Sequence, residues 1–366
     1  MPLRILHVVT YMGRGGLETM LMNYYRHMDR SKVQFDFLVH RDYKADYDDE
    51  ILSLGGRIYH VSRLVPWSKS YKQELKEFYK AHPEYKIVHV HQDCLSSVAL
   101  QCAKECGIPI RIAHSHNCAQ DKNIKYFIKL HYMKSIPAYA TELFACGEKA
   151  GDWMFRGEQY QLMNNAIDIK KYVYNNETSK SVRRSLGINN EFVIGHVGRF
   201  YPQKNHTFLI DIFEAIVKKN SNVKLLLIGE GEGKEAIIKK VYELGLEDKV
   251  IFTGMRSDVN ELLQAMDVFL FPSLYEGLPV TMIEAQAAGL PCVMSDQISE
   301  ECIVTNGLVS AENLNESPEI WAEVVLEQRE IVRENHSDEI IEAGYDIKSA
   351  AYNVQKFYLK KLEDVK

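Results

Sequence analysis

Short apolar runs and apolar stripes of helical spacing alternate from one end of the chain to the other. Arg4–Thr10, Phe35–His40, Arg57–Val61, Ile87–His91, Arg111–His114 and Glu142–Gly147 have the length and apolar content of buried strands. Between them, Leu17–Met28 repeats Leu17, Met20, Leu21 and Tyr24 on one helical face. Leu95–Cys106 is a helix stopped by Gly107 and Pro109, and Glu148–Gly157 is a shorter one. A second alternating array begins at Glu191–Val197. It continues through strands at Val223–Gly229, Lys249–Gly254, Val268–Pro272 and Cys292–Ser295, with helices predicted over Asp258–Met266 and Val280–Ala288. The polar stretch 174–190 separates the two arrays and reads as a linker. From Pro318 the pattern is helical, and Tyr345–Lys361 sets Ala350, Val354, Phe357 and Tyr358 along one amphipathic stripe. Alternation at this spacing predicts parallel sheets with right-handed crossovers, whose ligands gather at the carboxyl ends of the strands. The expected fold class is α/β in two domains, each long enough to bury a core.

The most informative stretch is Ser273–Pro291, SLYEGLPVTMIEAQAAGLP. A strand runs into the turn Glu276-Gly277-Leu278-Pro279, and the helix that follows is stopped by Gly289 and Pro291. The first N–H groups of such a helix have no partner within it, and its dipole makes that end positive. Pro279 costs little there, because its missing N–H belongs to the unpaired set. The turn is therefore an anion seat. Glu276 and Glu284 flank it. A carboxylate is a poor phosphate ligand and a good hydroxyl acceptor, so this combination describes a sugar nucleotide. On the residues alone, Glu276 also reads as a helix-capping carboxylate and Glu284 as a solvated surface residue.

Other stretches carry weaker chemistry. Gly198-Arg199 and Lys204-Asn205 follow the strand Glu191–Val197, and two fixed cations there can neutralise a diphosphate without metal or simply be surface charges. Tyr11–Gly16 is a Gly-rich turn between strand and helix, either a phosphate loop or a tight turn; it is not G-x-G-x-x-G. Glu230-Gly231-Glu232-Gly233-Lys234 fails as a P-loop, since Glu235 stands where Ser or Thr is needed and the acidic residues repel phosphate. Asp46-Tyr47-Asp48 has the D-x-D form of a metal motif, but it reads as part of a solvated charge run with no strand feeding it. His89, His91, His114 and His116 lie at strand ends. Their H-x-H spacing can point pairs to one side, yet no Cys or carboxylate cluster completes a zinc set, and no metal is expected.

Glu276 and Glu284 stand eight apart with Gly277 and Pro279 between them, and Glu284-Ala285 is followed by Gly289 and Pro291. This resembles the glutamate-pair signature of the retaining glycosyltransferases of family four, of polysaccharide-assembly type. The resemblance runs from Gly15 to the final helix and is strongest over Val193–Asn205 and Val250–Ile298. It implies the GT-B fold: two Rossmann-like domains with a cleft between them, and a C-terminal helix crossing back to the first domain. The acceptor-binding domain would be 1–170 with helix 346–366, and the nucleotide-sugar-binding domain 171–345. By the same resemblance Glu284 holds the ribose. Glu276 and the turn Gly277, Leu278, Pro279 and Val280 hold the sugar and its phosphate, while Gly198, Arg199 and Lys204 bind the diphosphate. The loop at Met255 and Arg256 reads the base, and Gly15 and Gly16 face donor phosphate or acceptor. His116, chosen over His114 by its position after the strand, contacts the transferred sugar. His116, Glu276, Arg199 and Lys204 form the implied catalytic set. The implied reaction moves a hexose or N-acetylhexosamine, with retention, from a UDP-linked donor to a lipid-linked saccharide, using no cofactor. One departure stands out: Asn164-Asn165-Ala166-Ile167-Asp168 has Ala166 where the family has Gly. At positive φ an alanine is strained by roughly 1 kcal/mol.

Charge sharpens the picture of partners. Residues 1–190 hold 27 Lys and Arg against 20 Asp and Glu, whereas residues 191–366 hold 17 against 30. A basic half joined to an acidic half suggests that only one half meets an anionic partner. A pI near 6.1 without a dense basic run argues against nucleic acid and for an anionic membrane surface. Asp121–Tyr139, with Lys122, Lys125, Lys129 and Lys134 among Phe127, Ile128 and Tyr132, has the composition of an interfacial helix or of a surface helix resting on the core. No stretch approaches the roughly 20 apolar residues of a membrane span, and the first residues read as a strand, not a leader. Seven cysteines without C-x-x-C spacing suit reduced thiols. The expected location is cytoplasmic, peripheral on the inner membrane face. Three other readings exist. A sugar-nucleotide epimerase of the same fold would need an acid–base set that cannot be located. A non-catalytic partner subunit is disfavoured by intact Arg199, Lys204, Glu276 and Glu284. A Rossmann oxidoreductase lacks its glycine fingerprint.

Overall fold

In the computed structural model, which describes residues 1–118 and 124–365, the chain forms two compact units. One is Met1–Ala166 with Asp346–Lys366, and the other is Ile167–Tyr345. The first holds seven parallel strands: β1 Leu3–Val8, β2 Val33–Val39, β3 Ile58–His60, β4 Ile87–Val90, β5 Ile110–Ser115, β6 Glu142–Ala145 and β7 Gln161–Leu162. The second holds six: β8 Phe192–Val197, β9 Val223–Ile228, β10 Val250–Gly254, β11 Val268–Phe271, β12 Cys292–Ser295 and β13 Val309–Glu312. Their orders are β3-β2-β1-β4-β5-β6-β7 and β10-β9-β8-β11-β12-β13. Each order reverses beside its first strand, the crevice where doubly wound sheets bind ligands.

Helices on both faces explain why the strands read as continuous apolar runs: every residue of β2 is buried. The first helix, Gly16–His27, and the last, Ile347–Glu363, share one face of the first sheet. Met20, Tyr24, Ile347, Ala351, Val354 and Tyr358 lie in a single core with Ile5, Phe35 and Ile87. The crossing back of the last helix to the first unit is thus an apolar contact, led by Val354 and Tyr358. Asp36, fully buried in β2, is held by Arg4 at 2.5 Å and by the Tyr85 hydroxyl at 2.7 Å.

Several expectations need correction. The stretch 174–190 contains a helix, Asn176–Ser185, whose N-terminus is capped by the Asn175 side chain accepting from Thr178 N–H. It buries only Ser179 and Val182, so it shows almost no apolar stripe. The predicted helix Asp258–Met266 is one short turn, Val259–Leu262, followed by a 3-10 turn. The charge run around Asp46 is only partly solvated. Ala45 and Tyr47 are buried, Asp46 accepts from Arg14 N–H, and Asp48 accepts from Ala45 N–H. These carboxylates serve the backbone. Ala166 is buried and is not among the positive-φ residues, so the turn takes an alanine without strain. Of the basic stretch, Asp121 and Lys122 lie outside the described residues. Asn123 lies outside them too, and Ile124–Met133 and Ile136–Tyr139 are helices. No described helix is long and apolar enough to cross a membrane.

Candidate functional site

In the second unit the chain leaves β8 through Gly198, Arg199 and Phe200, makes a 3-10 turn at Pro202–Lys204, and enters the helix His206–Lys219. It leaves β11 through Ser273–Pro279 and enters the helix Val280–Ala287. The two connections are stitched together. Leu274 N–H donates to the Gln203 carbonyl at 2.8 Å, and the Gln203 side chain donates to the Tyr275 carbonyl at 2.9 Å. The Lys204 ammonium then meets Glu276 Oε1 at 2.6 Å, with side-chain exposures of 18% and 10%. Lys204 also sits 4.7 Å from the centre of the Phe271 ring. Pro279, at the N-cap of helix Val280–Ala287, offers no side-chain cap, and Glu276 is the ion-pair partner of Lys204. A lysine and a glutamate are thus fixed beside a positively polarised helix tip. Ser273 Oγ and Thr281 Oγ1 are buried in the same connection and have no partner among the described residues.

Glu284 is 6% exposed and accepts from the Tyr172 hydroxyl at 2.7 Å. It is not a solvated surface residue. Burial raises its pKa, and the Tyr172 hydrogen bond offsets part of that rise. Gln264 fixes the segment bearing Tyr172: its amide donates to the Tyr172 carbonyl and its carbonyl accepts from Asn175 N–H, both at 2.9 Å. Arg333 secures the far end of helix Val280–Ala287. Its guanidinium donates to the Ala288 carbonyl at 2.7 Å and lies 4.2 Å from the Tyr174 ring centre.

The near-P-loop glycines have a packing role. Gly229 has φ +143°, and a Cβ there would lie 2.1 Å from the Gly198 carbonyl oxygen. A Cβ on Gly231 would meet the Phe200 backbone at 2.8 Å. The bare backbone of 229–233 thus lets the Gly198–Phe200 loop lie against it, tied by Phe200 N–H to the Glu230 carbonyl and Gly233 N–H to the Phe200 carbonyl. Gly198 in turn clears space for the Lys204 stem, which a Cβ would meet at 3.2 Å.

The remaining candidates are less constrained. Arg199 is exposed and bonds neither Lys204 nor Glu276. Met255 is 51% exposed, and Arg256 forms a forked pair with Asp258 at 2.8 and 2.5 Å. Gly277 is half-buried, while Leu278, Pro279 and Val280 are buried. In the first unit, Gly15 precedes helix Gly16–His27 without a side-chain cap, and nothing lies within 4 Å of a Cβ built on Gly16. The pattern of apolar positions gave no signal for Tyr172, Gln203, Gln264, Ser273 or Arg333. Thr281, in the first turn of helix Val280–Ala287, was missed as well.

The four strand-end histidines are five. His7 of β1 pairs in register with His89 of β4 and joins the group. His91, His114 and His116 form one triad with ligand atoms within 4.8 Å of one another, and His7, His89 and His91 form another. All but His116, which is half-buried, are fully buried. His114 is not a fully satisfied residue: its Nδ1 contacts His89 Nε2 at 3.2 Å, but its Nε2 has no partner among the described residues.

Comparison with known proteins matches this geometry. The profile described as Glycosyltransferase Family 4 covers residues 14–171, and that described as Glycosyl transferases group 1 covers residues 178–345. EpsF of Bacillus subtilis (strain 168), which bears a provisional glycosyltransferase name, is 36% identical over 360 residues, 94% of this chain and 93% of its own. The UDP-Gal:alpha-D-GlcNAc-diphosphoundecaprenol alpha-1,3-galactosyltransferase of Escherichia coli is 28% identical over 61% of each chain. Anabaena Alr3699/HepE, solved with UDP and glucose, has a TM-score of 0.76 at 17% identity over 98% of this chain and 99% of its own, a likeness of fold. With profile matches to both halves and a relative at 36% identity along nearly its whole length, the chain belongs to the family four glycosyltransferases, which have the GT-B fold.

Proposed function

We propose that the protein transfers a hexose or N-acetylhexosamine from a UDP-linked donor to a lipid-linked saccharide in exopolysaccharide or capsule synthesis, with retention of anomeric configuration. The observation that carries the reading is the Lys204–Glu276 pair at 2.6 Å beside the N-terminus of helix Val280–Ala287. A lysine ammonium has three N–H donors, and one serves Glu276, which leaves two for phosphate oxygens. Lys204, Arg199 and the helix tip stabilise the departing diphosphate. Glu276 and His116 hold sugar hydroxyls, and Glu284, oriented by Tyr172, holds the ribose. The loop at Met255 and Arg256 reads the base, and Gly15 and Gly16 approach phosphate or acceptor. No carboxylate is assigned as a nucleophile. Sugar departs and acceptor attacks on the same face, and the leaving phosphate takes the acceptor's proton. Neither metal nor cofactor has a step. The lipid-linked acceptor follows the diphosphoundecaprenol substrate named for the Escherichia coli relative, and the UDP donor follows that relative and HepE.

UDP and UDP-sugars at about a hundred times Kd should stabilise the protein by about 2.7 kcal/mol, read as a thermal shift, whereas NAD should give none. Glu284→Ala should cancel most of the UDP shift and cost about a hundredfold in kcat/KM, the scale of a lost hydrogen bond to a charged group. A shift with NAD alone, or unchanged turnover in Glu284→Ala, would remove this reading.

Contact with an anionic membrane surface belongs to the same proposal. In helix Ile124–Met133, Phe127 is 75% exposed and Ile128 36%. Each basic residue near such a surface contributes about 1 kcal/mol. The protein should sediment with vesicles containing anionic lipid, and Phe127→Ser should weaken this. Absence of sedimentation at low salt would end the idea.

A further inference from the structure

The histidine group of the first unit has an ordered hydrogen-bond geometry. His7 Nδ1 lies 3.0 Å from His91 Nε2, and His91 Nδ1 lies 2.9 Å from His116 Nε2. The ring centroids of these pairs are 5.3 and 5.2 Å apart, with interplanar angles of 25° and 35°. Each separation equals the N···N gap plus one ring radius at either end. The rings therefore meet end to end, near one plane. His89 and His114 make a second such contact at 3.2 Å, with centroids 5.2 Å apart, and His89 Nδ1 reaches the Tyr358 hydroxyl at 2.7 Å. The two rows stack face to face: His89 on His91 at 4.3 Å and His114 on His116 at 4.1 Å.

The ligand atoms of each triad lie within 4.8 Å of one another, but the short contacts run from nitrogen to nitrogen along each row. A tetrahedral ion needs three or four lone pairs turned toward one shared point. Here the nitrogens of one row face those of the next ring, with room for one proton between each pair.

The row has a direction. A neutral imidazole has one N–H and one lone pair. His7 Nε2 is buried beside Phe35 and Phe37 without a hydrogen-bond partner. A stranded lone pair costs less than a stranded N–H. His7 therefore places its proton on Nδ1 and donates to His91 Nε2. His91 must then bear its proton on Nδ1 and donate to His116 Nε2. His116, the half-buried member, is left with N–H at Nδ1.

We propose that His7 and His91 are positioning residues that hold His116 in its Nδ1–H tautomer, so that the imidazole offers a hydrogen-bond donor to a ligand oxygen. That the ligand oxygen is a sugar hydroxyl rests on the proposed glycosyl transfer; the tautomer does not.

The tautomer can be read directly. In protein labelled with 15N-histidine at pH 7.5, two-bond couplings separate Nδ1–H from Nε2–H imidazoles, and the His116 signals are those missing from His116→Asn. Free neutral histidine favours Nε2–H. Wild-type His116 should be Nδ1–H. His91→Leu should return it toward Nε2–H and lower kcat/KM about tenfold, the scale of one hydrogen bond. His91→Asn, which keeps an N–H at the δ position, should retain Nδ1–H and recover most of the activity. An Nε2–H His116 in the wild type, or an unchanged tautomer in His91→Leu, would overturn the proposal. So would a stoichiometric metal ion held by the purified protein and lost in His91→Leu. Loss of glycosyl transfer with an Nδ1–H His116 would instead strike the functional reading and leave the tautomer standing.

Discussion

Lys204→Met should lower kcat/KM for the donor about a thousandfold, the upper range for removing one preorganised charge donor from a transition state. The charge that develops on the leaving diphosphate is what Lys204 meets, so the loss should fall on kcat as well as on KM. Methionine keeps most of the apolar stem that packs by Gly198 and Phe271. The substitution also takes the ammonium away from Glu276, which is 8% exposed. Stability should therefore fall by about 1–3 kcal/mol, the scale of a hydrogen bond between charged groups lost from a buried site. The two effects can be separated. In a Glu276→Gln background the stability cost of Lys204→Met should shrink, because no carboxylate is left uncompensated, while the activity should not return. Recovery of turnover in the double variant would show that Lys204 acts only by neutralising Glu276. A single variant with near-normal turnover would remove Lys204 from the reaction.

Acid should destabilise the protein well before its carboxylates titrate. Seven histidines are buried: His7, His40, His89, His91, His114, His196 and His206. Burial holds all of them below the usual imidazole range, His7 at about 3 and His206 at about 4. Their unfolded counterparts take up protons below about 6.5. The unfolded chain thus binds more protons, and stability rises with pH and falls as pH drops below that value. Each histidine that stays neutral contributes up to about 1.4 kcal/mol per pH unit there. The raised carboxyls of Asp93, Glu284 and Glu312 have the opposite sign, since the folded state then binds the extra proton, but they are three groups against seven. Urea unfolding between pH 7 and pH 5 should show a loss of several kcal/mol, on the scale of marginal stability itself. His89→Phe should reduce the slope by about one histidine's share. A flat profile over that window would mean that the imidazoles are hydrated or already charged in the folded chain.

The chain's α/β class and both strand arrays are legible in its apolar periodicity, because strands buried on both faces must be apolar throughout. Val280–Ala288 was predicted within one residue of the helix observed, since Pro279, Gly289 and Pro291 are local stop and start signals. Helix Asn176–Ser185 was hidden because it buries too little to carry a stripe. Glu276 and Glu284 could be singled out by spacing, but on the residues alone Glu276 could also have capped a helix and Glu284 faced water.

Local rules therefore determined the elements and their order and drew notice to the two carboxylates, because each depends on neighbours a few residues away in the chain. Tertiary structure alone decided that Lys204 meets Glu276 across 72 residues, that Tyr172 meets Glu284 across 112, and that His7 joins His91 across 84. Such pairings arise where separate strands end on one edge of a sheet, and their geometry is set by the register of the strands, a property that no single segment of the sequence contains.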